Sequence, residues 1–81
     1  MNGFYEKIKI MTDNKVNISK EEADYIQKKA MQLTKKNTDN IEFDYVGYTW
    51  TFWYDKSNDG IKFLQIRIGD YTKMLAWEIK F

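Results

Sequence analysis

Glu42 and Asp44 stand two residues apart in Ile41-Glu42-Phe43-Asp44-Tyr45, and in an extended backbone residues two apart share a face. Two neighbouring carboxylates can serve as general acid and base, or hold a hard cation through oxygen ligands. That pair is the best catalytic chemistry the chain offers, and alone it is weak evidence. The sequence has no histidine and no cysteine, which removes the commonest general base, the thiol nucleophile and the usual soft metal ligands. The run Asp55-Lys56-Ser57-Asn58-Asp59-Gly60 lacks both the D-x-D-x-D-G spacing and the closing glutamate of a calcium loop, so it reads as a turn. The glycines Gly3, Gly47, Gly60 and Gly69 are isolated from one another, so they form no phosphate cradle. The expectation is a protein that is not an enzyme, with no metal and no cofactor.

Contact chemistry is better represented. Residues 45–54 contain six aromatic rings and two threonines, residue types that favour the pleated backbone and bury large areas. In a regular strand Trp53 points opposite to Trp50 and Phe52. On that face Trp53, Phe63 and Arg67, with Gln65 and Lys80, form a set able to stack on bases or to anchor a protein interface. A second set is acidic: residues 37–59 carry Asp39, Glu42, Asp44, Asp55 and Asp59 against Lys56 alone. Residues 1–36 are net positive, as are residues 60–81, and the whole chain is +1. An acidic aromatic surface repels phosphates and attracts basic partners.

The elements that must position these residues follow from periodicity. Phe4 to Met11 alternates Phe4, Glu6, Ile8, Ile10 against Tyr5, Lys7, Lys9, Met11 and reads as a half-buried strand, closed by turn chemistry in Thr12-Asp13-Asn14-Lys15. Ser19 and Glu22 make an S-x-x-E capping box, with Ile18 placed to staple onto Ala23; they set a helix start at Ser19. Ala23, Ile26, Ala30 and Leu33 give it one apolar stripe, and it should end near Lys36. Lys28, Lys29, Lys35 and Lys36 lie toward its negative end, which dipole complementarity explains better than a phosphate site. Ile41 to Tyr45 is a further strand or the first half of a strand bent at Gly47. Tyr48–Tyr54 and Ile61–Ile68 form a hairpin about Asp59-Gly60, where Asp-Gly supplies positive φ. A turn at Gly69-Asp70 then leads into a last strand, Tyr71–Phe81. Tyr48, Trp50, Phe52, Tyr54, Leu64, Ile66, Ile68, Leu75, Trp77, Ile79 and Phe81 are the expected core face.

At 81 residues, 43% hydrophobic and 31% charged, the composition is that of a single globular domain, 1–81, burying only about 60–65% of its unfolded surface. The fold class expected is α+β, one amphipathic helix packed on one face of an antiparallel sheet of three to five strands, in the order β-α-β-β-β. The amino end has no apolar leader pattern and no run reaches the roughly 18 apolar residues of a membrane span, so a cytoplasmic protein with no membrane partner is expected.

The function expected is a non-enzymatic protein-binding module. Its concrete form is a small inhibitor of the phage or mobile-element type that blocks a basic, nucleic-acid-processing partner through Asp39, Glu42, Asp44, Trp53, Asp55, Asp59, Phe63 and Arg67. Two alternatives stand beside it: a single-stranded DNA- or RNA-binding domain that uses exposed aromatics, and a homodimeric accessory protein whose open face is covered by a second copy. The near-neutral charge and the single arginine weigh against nucleic acid.

Overall fold

The computed structural model describes residues 3–34 and 39–80, with the side chains of Met74, Leu75 and Ala76 left aside. Among these residues two helices, α1 (Gly3–Met11) and α2 (Lys20–Leu33), precede four strands, β1 (Asn40–Tyr45), β2 (Tyr48–Lys56), β3 (Gly60–Ile68) and β4 (Tyr71–Lys80). The strands pair in chain order as an antiparallel meander. The class is α+β, but its first element corrects the expected order: residues 3–11 are a helix, so the order is α-α-β-β-β-β.

The reason lies in which residues of that segment seek burial. Phe4, Ile8 and Thr12 are buried and fall four apart, whereas Ile10, grouped with Phe4 and Ile8 by alternation, is 80% exposed. A period near four is helical. The helix ends where Asp13 and Asn14 take positive φ of 54° and 61°, and the Asn14 amide donates to the Lys9 carbonyl at 2.8 Å. Asp and Asn tolerate that left-handed backbone, so the expected turn chemistry terminates a helix rather than a strand.

The second helix follows its sequence closely. Ser19 is the N-cap, its hydroxyl accepting from the Glu22 amide at 3.0 Å while the Glu22 carboxylate accepts from the Ser19 amide at 2.8 Å. These bonds satisfy two of the donors that a helix start leaves open. Ala23, Ile26 and Ala30 face the core, and Ile18 is buried too. Thr34 is the C-cap, and Lys56 from β2 donates to its carbonyl at 3.1 Å. Lys35 and Lys36, where the helix was expected to end, and Phe81, assigned to the core face, lie outside the described residues.

Both helices lie on one face of the sheet. Phe4 of α1 packs on Phe52 at 6.2 Å and stacks on Trp77 at 4.5 Å, with Trp77 stacked in turn on Phe63 at 4.4 Å. From α2, Tyr25 meets Tyr45 at 4.7 Å and Lys29 lies 5.9 Å over Phe43. Trp50, Phe52, Ile66 and Ile68 complete the core as expected, and the Trp50 indole donates to the Tyr45 carbonyl at 2.9 Å. Large rings thus supply burial that short helices cannot.

Residues 41–45 form a strand of their own. Tyr45 pairs with Tyr48 across a two-residue turn in which Val46 and Gly47 have φ of 46° and 85°, the sign pattern of a type I′ hairpin. The β2–β3 turn departs from expectation: Gly60 is not among the positive-φ residues. Its role is close approach, since a Cβ there would collide with the Ile79 carbonyl oxygen.

Candidate functional site

The face of the sheet turned away from the helices is built by strand alternation. In register across it lie Glu42, Thr51, Arg67 and Thr72; beside that row come Asp44 with Thr49, then Trp53 with Gln65, then Asp55, Lys62 and Glu78. No helix or strand packs over this face among the described residues, and all of these side chains are exposed or half-buried except Thr51, at 3%.

One extra residue decides which aromatics belong here. The pairing runs Trp53 with Gln65 and then Tyr54 with Phe63, so Leu64 is a bulge residue in β3 and reverses the alternation before it. Ile61 and Phe63, expected on the open face, are turned inward; Phe63 is fully buried and packs edge-on against Phe52 at 5.5 Å. Phe63 is therefore corrected from a contact residue to a core residue. Leu64, expected in the core, is only half-buried.

Trp53 and Arg67 do come together. The guanidinium carbon lies 5.7 Å from the Trp53 ring centroid, a cation–π arrangement. It occupies one face of the only aromatic ring found on this surface among the described residues.

Each of the two strand carboxylates accepts from a threonine across the β1–β2 pair. The Thr49 hydroxyl donates to Asp44 at 2.7 Å and the Thr51 hydroxyl donates to Glu42 at 3.2 Å. Each carboxylate is thus oriented by its own cross-strand threonine instead of sharing a ligand with the other. Among the described residues no cluster of three acidic side chains is placed to hold a metal ion.

Structure divides the other acids. Asp39 precedes β1 and its carbonyl accepts from the Tyr54 amide at 3.3 Å. Asp55 lies on the open face directly across from Lys62. Asp59 sits in the β2–β3 turn, beside an open cleft of about 390 Å³ lined also by Lys56, Lys62, Glu78 and Lys80. That cleft mixes both signs of charge, which gives it no preference for anion or cation. The acidic character of residues 37–59 is thus concentrated at Glu42 and Asp44 and diluted by lysines at the hairpin end.

Sequence reasoning missed the contribution of Thr49 and Thr51 in fixing the carboxylates; their alternation with Trp50 and Phe52 was the available signal. Comparison with protein-family models, curated proteins and solved structures finds no match to this chain. No helix of the described residues is long and apolar enough to cross a membrane.

Proposed function

We propose that this protein is a non-catalytic protein-binding module whose contact surface is the open face of its sheet. The observation that carries this reading is that both helices cover the same side, while Trp53, Gln65 and Arg67 lie at the centre of the uncovered side with charged residues around them. A half-buried aromatic anchor with an arginine beside it and a charged rim has the composition of a binding hot spot.

Glu42, Asp44 and Asp55 make the β1–β2 half of that surface acidic, so it fits a basic surface on its partner. A nucleic-acid channel is one such surface, and occupying it is how an inhibitor of this type would act. Base stacking has less support, because Phe63 is buried and Arg67 already covers the Trp53 ring.

The test is capture by the tagged protein from lysate of its native host, with and without nuclease treatment, comparing wild type with Trp53→Ala, each checked for folding by circular dichroism. A stoichiometric protein partner held by wild type and lost by folded Trp53→Ala supports the reading. Equal recovery by both, or recovery of nucleic acid only, contradicts it.

A further inference from the structure

The charge on the open face is not scattered. On β1 and β2 its ionisable side chains are Glu42, Asp44 and Asp55, three carboxylates with no cation among them; on β3 and β4 they are Lys62, Arg67 and Lys80, with Glu78 the single acid. One half of the sheet is acidic, the other basic, and Trp53 and Gln65 meet at the boundary between them.

We propose that this face binds a second copy of the same chain, about a two-fold axis running along the strands in the plane of the interface. This inference rests on the reading of the open face as a protein-binding surface and names the partner. Rotation about that axis lays β1–β2 of one copy over β3–β4 of the other, so acidic half meets basic half twice. Asp55 of one copy lies over the Lys62 position of the other, and the Trp53–Gln65 rows meet at the centre. A two-fold axis across the strands would set acid over acid, which like-charge repulsion opposes.

Such an interface is isologous and closes on itself, leaving no open filament. Its size is adequate: strands of 6, 9, 9 and 10 residues at about 4.8 Å spacing and about 3.3 Å rise cover roughly 540 Å² per copy. The pair buries about 1,000 Å², at the threshold for a specific association. Sheets stacked face to face keep their strands within about 30° of alignment, as this axis requires.

Sedimentation equilibrium over micromolar to millimolar concentration tests the proposal with two double variants, Lys62→Glu/Arg67→Glu and Glu42→Lys/Asp55→Lys, all at exposed positions. Wild type is expected to dimerise, more weakly as salt rises. Each variant alone, having two halves of like sign, is expected to lose at least tenfold in association, and the equimolar mixture to regain it. A monomeric wild type, or variants that dimerise as wild type does, overturns the proposal. Monomeric wild type with a host protein captured in a Trp53-dependent way removes only the self-association and leaves the open face as the site for a different, basic partner. Dimerisation unchanged in Trp53→Ala places the dimer contact elsewhere.

Discussion

Leu64 separates two aromatic residues that alternation would treat alike. Because of it Phe63 stands in the core between Phe52 and Trp77, while Trp53 stays half-buried on the open face beneath Arg67. The two positions should therefore answer truncation differently. Phe63→Ala is expected to cost about 3–5 kcal/mol through lost burial and the cavity left behind. Trp53→Ala, losing contact on one side only, is expected to cost about 1 kcal/mol. Urea denaturation of both proteins checks this, and equal losses would contradict the face assignment. Nothing in Ile61-Lys62-Phe63-Leu64-Gln65-Ile66 marks the bulge, since it contains neither glycine nor proline; the extra residue is set by how the hairpin pairs, which single-residue preferences do not encode. Val46 offers a separate test. It is β-branched and holds φ of 46°, a conformation that crowds Cβ against the following carbonyl and suits asparagine better. Val46→Asn is expected to raise stability by about 0.5–1 kcal/mol, read as a higher denaturation midpoint; a lower one would show that the packing of Val46 outweighs its strain.

Among the elements, α2 was the most legible because its signals are local. The capping box at Ser19 and Glu22 and the stripe Ala23, Ile26, Ala30 agree with each other and with the structure. Ser19→Ala should accordingly lower stability by about 1 kcal/mol, measured by thermal unfolding. The first helix was not legible, because a nine-residue segment fits both periods when Ile8 and Ile10 are given equal weight; burial of Thr12 through its hydroxyl bond to the Ile8 carbonyl at 2.7 Å is what breaks the tie. Strands β2 to β4 were legible through their turns, although the reason for Gly60 was not: it is required by the approach of Ile79 from β4, a contact distant in sequence. Gly60→Ala is expected to destabilise by about 1–3 kcal/mol without altering the tight Val46-Gly47 hairpin, a combination that amide hydrogen exchange can resolve by element.

The whole molecule is unbalanced: both described helices lie on one side of the sheet. The acidic segment looked continuous along the chain, yet folding brings the basic residues Lys62 and Arg67 of β3 next to it, because a meander pairs successive segments. That juxtaposition converts an apparent acidic patch into a face with two halves of opposite sign, and only the pairing register reveals it. On the proposed reading a partner would be selected by this pattern as well as by sign, and association through the face is expected to weaken with ionic strength.

Oxidative footprinting of the three tryptophans read by mass spectrometry, across a dilution series and with any captured host partner, asks whether the open face of the sheet is the contact surface. Trp50 is fully buried and supplies an internal reference. If the open face is the contact surface, Trp53 is protected in the associated state and becomes reactive on dilution to monomer, while Trp50 stays protected throughout. Equal reactivity of Trp53 in the free and associated states would place the contact elsewhere on the molecule and contradict the account.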